Sequence, residues 1–207
     1  MSLPAIIDGL NRSHVRKWGL QALFLDSPTA PVPATFFDAE TLIPVIPATS
    51  LHMGYITTDG VSNEVNISSE DTNMVQDLEP VRTDITGMTN RLTNVFGEAS
   101  SAWVNALWHG VPFEDFPEEP DGAWVFHDGE IADYPEYRLL AVYQDGVGNQ
   151  ARYRIEYAYK AKVIAKQNRT MNRSSAEGMG FTFGLFKDPD VKRSVTRMEN
   201  GPLFLTP

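Results

Sequence analysis

Residues 152–163 constrain the fold more than any other stretch. Tyr153, Ile155, Tyr157, Tyr159, Ala161 and Val163 alternate with Arg152, Arg154, Glu156, Ala158, Lys160 and Lys162. A period of two is that of a β-strand, whose successive side chains point to opposite faces. This one is expected to run well beyond the usual length of about five or six residues. One face is apolar and aromatic and the other mainly basic. Such a strand packs one side on a core and offers the other to water or to an acidic partner. It is not stable alone, so the rest of the chain must supply strands to flank it.

Several segments read as those neighbours. Val15–Leu25 suits a first strand, because Gly19 weakens a helix there and the aromatics favour β structure. Gly54–Val61, Glu64–Ile67, Val81–Ile85, Leu92–Phe96, Trp124–Phe126, Tyr137–Tyr143 and Gly178–Phe186 are further candidates. Ser68–Pro80 reads as a polar loop, and Gln144–Asn149 as a hairpin connection. Prolines at 28, 31, 33, 44 and 47 keep residues 27–47 out of any central ladder, so they form an extended connector. One short helix is expected before Gly110. Trp103, Val104, Leu107 and Trp108 share a face there, Gly110 suits the left-handed cap, and Pro112 blocks continuation. The two tryptophans read first as an anchor against a sheet.

The sum is a mainly β chain, a β-sandwich or barrel with one flanking α-helix, extended N- and C-terminal arms and long loops. The expected division is an N-terminal arm at 1–14, a β domain at 15–197 and a C-terminal tail at 198–207. The β domain carries the connector and an acidic, proline-rich loop at 111–122.

Charge is placed unevenly. The net charge is -10, yet residues 1–149 hold 22 acidic and 6 basic side chains, and residues 150–207 hold 5 and 11. Residues 111–136 carry nine acids and no Lys or Arg. Acidity on this scale argues against a tight nucleic-acid binder, whose affinity comes from neutralising phosphates. It fits a solvated loop, an acidic part of one subunit meeting a basic part of another, or a surface along which nucleic acid slides without sticking. No signature of catalysis emerges. The chain has no cysteine, and His14, His52, His109 and His127 lack metal-ligand spacing. The acids at 114–121 lack the spacing and central glycine of a calcium loop. Gly178, Gly180 and Gly184 miss the dinucleotide fingerprint. No cofactor or metal is called for, and no apolar run reaches membrane-spanning length.

The segment Gly54-Tyr55-Ile56-Thr57-Thr58-Asp59-Gly60, the Glu64 strand, the loop after it, Val81-Arg82-Thr83-Asp84 and a helix entered at Glu98 and left at Trp108-His109-Gly110 follow one another in order. In this the chain resembles the major tail proteins of long-tailed bacteriophages, particularly those of actinobacteria. Val15 to Ala22-Leu23-Phe24 and Asp26–Pro33 resemble that family's first strand and connector. Phe181-Thr182-Phe183 through Phe186, Asp188-Pro189-Asp190 and Ser194-Val195 resemble its last strand and turn. Residues 111–122 and 86–91 lie outside the shared pattern.

The resemblance implies a non-enzymatic structural virion protein, made in the host cytoplasm and carried in the phage tail. It implies self-assembly into stacked hexameric rings that form the tail tube. The partners are then the chain itself, a tape-measure protein and other tail proteins, with DNA passing through without specific binding and no membrane. The self-assembly candidates are Tyr55, Asp59, Glu64, Arg82, Arg152, Arg154, Lys160 and Lys162. Reversing Lys160 and Lys162 to Glu is expected to weaken assembly. Two alternatives stand beside this reading. One is another tail ring protein, a terminator or baseplate component. The other is a monomeric module binding carbohydrate or a host surface through Trp103, Trp108, Trp124 and Tyr137.

Overall fold

A computed structural model describes residues 14–116, 122–126, 133–148 and 151–200. The expected arm before His14, residues 117–121 of the acidic loop, the turn at Asp128-Gly129, His127, Asn149 and residues 201–207 of the expected tail lie outside the described residues.

Among the described residues eight strands form one antiparallel sheet. They are β1 (Leu20–Asp26), β2 (Leu51–His52), β3 (Ser62–Thr72), β4 (Arg82–Phe96), β5 (Glu136–Asp145), β6 (Arg152–Lys166), β7 (Met179–Phe186) and β8 (Val195–Glu199). The spatial order is β2-β1-β5-β6-β7-β4-β3, with β8 paired beside the first half of β6. The β2 end of this order is joined to β4, the strand next to the other end. Met53 N–H donates to the Leu23 carbonyl of β1, while Thr57 N–H donates to Val95 of β4 and Gly97 N–H to Tyr55. The 51–57 segment therefore curls the sheet back on itself, as a sandwich with α1 (Ala102–His109), the one α-helix among the described residues, against it.

The closure explains the glycine at position 54. Gly54 has φ +85°, and a Cβ there would lie 2.4 Å from the Glu98 carboxyl carbon. That carboxylate instead accepts the Tyr55 N–H at 2.9 Å. Helix α1 ends as its sequence predicts. Gly110 has φ 68°, its N–H reaches Leu107 O, and Val111 N–H reaches Ala106 O.

The main core lies on the inner face of the curled sheet, with Leu23, Leu92, Phe96, Leu139, Val163, Phe181 and Phe183 packed under Val104 and Leu107 of the helix. A second cluster, Leu140, Ile155, Tyr157 and Tyr159, lies on the outer face beneath Val32, Phe36 and Phe37 of the connector.

Strand β6 is the expected long strand, but its apolar residues do not share one face. Tyr137 pairs with Ala161 and Leu139 with Ala158, so β6 carries one extra residue between them. This bulge inverts the alternation. Before it, Ile155, Tyr157 and Tyr159 point to the outer cluster. After it, Ala161 and Val163 point to the inner core. A second shift at Ile164 inverts the order again.

Two expected strands, Val81–Ile85 and Leu92–Phe96, are one strand of fifteen residues. The expected loop at Ser68–Pro80 is strand as far as Thr72. Trp124–Phe126 is not a strand. Its aromatic rings join a cluster instead, Trp124 on Phe126 at 5.2 Å and Phe126 stacked on His109 at 4.5 Å. Strand β8 continues past residue 197, and the buried Asn200 accepts the Tyr153 N–H.

Candidate self-assembly surface

Strand β4 pairs with β7 only from Arg91 onward. Among the described residues, positions 82–90 therefore have β3 as their sole strand neighbour, and the two strands leave the body as a ribbon. Every residue of β3 is exposed. Pairing places Val65 opposite Asn90, Ile67 opposite Met88 and Ser69 opposite Ile85, with Thr86 the extra residue of a bulge. Paired residues share a face, so the inner face of the body, Leu92 and then Asn90, continues outward as an apolar stripe. Ile67 is 61% exposed, Met88 63% and Ile85 72%. Glu64, Glu70, Arg82, Asp84 and Arg91 lie on the opposite face.

The tip adds Met74, Val75 and Leu78, the last two fully exposed. Ribbon cohesion is local: Val81 N–H to Thr72 O at 3.0 Å, Thr83 Oγ1 to Asp71 at 2.7 Å, and an Arg82–Asp84 ion pair at 2.7 Å. A two-stranded ribbon with both edges open and an exposed apolar stripe is marginal alone and is a template for pairing.

A polar clamp holds the ribbon at its base. The Glu156 carboxylate, 8% exposed, accepts from Arg197 Nε at 3.1 Å and from Asn63 Nδ2 at 2.8 Å. Arg197 Nη2 reaches Asn63 and Asn90 Oδ1 at 3.4 Å. The clamp ties β3 and β4 to β6 and β8. Sequence reading missed it. Its one signal is Glu156, the single acid among the polar positions of β6.

The eight predicted assembly residues fall in four places. Glu64 and Arg82 lie on the ribbon. Tyr55 and Asp59 are exposed on the segment that closes the sheet. Arg152 and Arg154 lie where β6 begins. Arg154 pairs with Glu199 at 2.8 Å and lies 4.8 Å over the Trp18 ring. Lys160 lies in the first bulge and Lys162 past it. Lys160 Nζ pairs with Glu136 at 2.8 Å and Lys162 Nζ pairs with Asp133. Here acidic and basic regions meet within the subunit, because Glu136 and Lys162 are partners in the β5–β6 register. We expect Lys160→Glu to cost the free subunit about 0.2–1 kcal/mol, as for a surface ion pair. Urea unfolding should detect the loss, and adding Glu136→Lys should restore it.

The aromatics considered for ligand stacking are held by neighbouring side chains. Trp103 packs on Phe113 at 5.6 Å and on Phe116 at 6.0 Å. Trp108 lies edge-on to Phe181 at 5.8 Å, and Lys166 and Arg169 sit 4.8 and 5.0 Å from its centroid. Tyr137 is 3% exposed and cannot serve as a platform. Burial raises its phenol pKa, with Glu114 adding to the effect. Tyr143 is raised by burial and then by Glu156, and Tyr157 by burial. The unfolded chain ionises its tyrosines near about pH 10, whereas these three keep their protons in the fold. Their stabilisation is thus complete below that pH and is lost as pH rises through the folded values. An alkaline titration should show a late fraction of phenolate absorbance that appears together with unfolding.

A notch opens where β4 leaves β7. It has a volume of about 580 Å³ and is lined by Met88, Asn90, Leu185, Phe186, Val195 and the cations Lys187, Lys192 and Arg193. The three cations are exposed, and among the described residues no acid lines the notch. Asp188 of the adjoining turn is committed to that turn. Its Oδ1 accepts the Asp190 and Val191 N–H groups, which lower its pKa.

No cluster of His, Asp or Glu among the described residues could hold a metal, and no described helix is long and apolar enough to cross a membrane. No family model and no curated protein matches the chain. Among solved structures it is similar to a chain of the anti-feeding prophage (AFP) baseplate, determined by cryo-electron microscopy with six-fold symmetry applied. The identity is 9% and the TM-score 0.38, over 86% of this chain and 91% of that one.

Proposed function

We propose that this chain is a structural subunit of a phage tail that self-assembles into stacked hexameric rings forming the tail tube. The observation that carries the reading is the 62–90 ribbon, whose exposed apolar stripe continues the inner face of the body beyond its last covered residue. A monomer gains nothing from such a stripe. In an assembly it becomes core, and the open edges of β3 and β4 gain strand partners. The sequence resemblance to major tail proteins supports the same role. The acidic total charge suits a lumen along which phosphates slide, and the role is architectural rather than catalytic.

Light scattering over a concentration series tests this. Mass should rise steeply above a threshold concentration for the full chain. A constant single-chain mass, with tryptophan fluorescence that responds to added oligosaccharide, would overturn the proposal in favour of a binding module. Growth that stops at one ring without stacking would point to a terminator or baseplate component.

A further inference from the structure

We infer that the tip of the ribbon on one subunit docks in the β4–β7 notch of a second copy, so that the contact is head-to-tail. The inference rests on the proposed self-assembly and names its two surfaces.

Three features of the tip match the notch. The first is charge. From Glu64 to Val81 the chain holds Glu64, Glu70, Asp71, Asp77 and Glu79 and no Lys or Arg. The notch offers Lys187, Lys192 and Arg193, none of which forms an ion pair among the described residues. The second is apolar content. Met74, Val75 and Leu78 project from the tip, and Met88, Phe186 and Val195 line the notch, with Phe186 43% exposed. The third is shape. The notch has the volume of a ligand-sized cleft, roughly 300–1,000 Å³, and it opens beside the unpaired edge of β4. An entering strand could add to that edge.

The tip cannot satisfy its own notch. Val65 stands opposite Asn90 beside the notch, and the ribbon then runs seven more residues to Thr72. At about 3.3 Å per residue the tip lies on the order of 23 Å away, and the clamp at Glu156 fixes the base from which it projects. Two different patches that meet between copies make a heterologous contact, which propagates into a ring or a stack. An isologous contact would stop at a dimer.

The chain contains no cysteine, so paired cysteines report the contact cleanly. Val75→Cys is at a fully exposed position of the tip, and Ser194→Cys, nearly isosteric, replaces a residue that lines the notch, so neither should disturb folding. Under mild oxidation the double variant should give a ladder of dimers, trimers and larger species, and each single variant no ladder. Dimers from Val75→Cys alone would show tips meeting tips and would overturn the inference. Assembly of the double variant without cross-links would overturn it too, while leaving self-assembly standing. Failure of the unmodified chain to assemble at any concentration would remove the proposed function, and this inference with it.

Charge exchange gives a second reading. Asp77→Lys with Glu79→Lys should raise the threshold concentration about tenfold, as expected for close interfacial charge pairs. Lys192→Glu with Arg193→Glu should do the same, and all four together should restore assembly. Additive loss in the four-fold variant would contradict the pairing.

Discussion

Replacing Ile67 and Ile85 together with aspartate is expected to abolish assembly while leaving the folded subunit intact. Both side chains project from the ribbon, beyond the body's core. In the free subunit the change lies within about 0.5 kcal/mol, as for surface positions away from caps or clamps. In the assembly each aspartate would be a buried carboxylate without a partner, at several kcal/mol apiece. Light scattering should show single-chain mass at every concentration, with a urea midpoint close to that of the unmodified protein. Assembly that survives the substitution would remove the ribbon from the account.

The opposite pattern is expected for Phe181→Ala. Phe181 is fully buried on β7 and packs on Phe96 at 5.7 Å, Trp108 at 5.8 Å and Phe183 at 6.2 Å. It joins the sheet to the helix, so its removal leaves a cavity that no single neighbour can fill. Large-to-alanine changes at aromatic core sites cost about 3–5 kcal/mol, a large share of the roughly 5–15 kcal/mol that holds a domain together. Thermal unfolding should shift down strongly, and assembly should be lost because the subunit itself is lost. The two variants together separate stability from association.

The parts legible in the sequence are those where one physical signal dominates. The helix shows itself through Trp103, Val104, Leu107 and Trp108 on one face and Gly110 at its end. The long β6 shows itself through its alternation. The bulges in β6 leave no such signal. An extra residue between paired positions depends on the partner strand, so Tyr157 and Val163 read as one face although they point to opposite sides of the sheet.

The ribbon was obscured for a related reason. Alternation marks a strand only where one face is buried, and Ser68, Ser69, Glu70, Asp71 and Thr72 are exposed throughout. Their polarity reads as loop. Thr86-Gly87 at the bulge likewise breaks the pattern of β4 into two apparent strands.

For the assembly surface, composition located the charges but not their partners. The acidic stretch near 136 and the basic β6 are sequence-distant enough to suggest two subunits, yet hairpin pairing makes them neighbours within one. Lys187, Lys192 and Arg193, which form no ion pair among the described residues, are in the turn after β7, where the sequence marks an Asp-Pro turn but no partner for its cations. What draws the ribbon and the notch together as candidates is geometry: the point at which β4 parts from β7 creates both.

Negative-stain electron microscopy of the purified full chain over a concentration series tests the central claim most directly. Hollow tubes of stacked six-subunit rings are expected above a threshold, and no tubes from the Ile67→Asp, Ile85→Asp variant. Isolated single-chain particles at all concentrations, or closed two-subunit particles that do not extend, would contradict it.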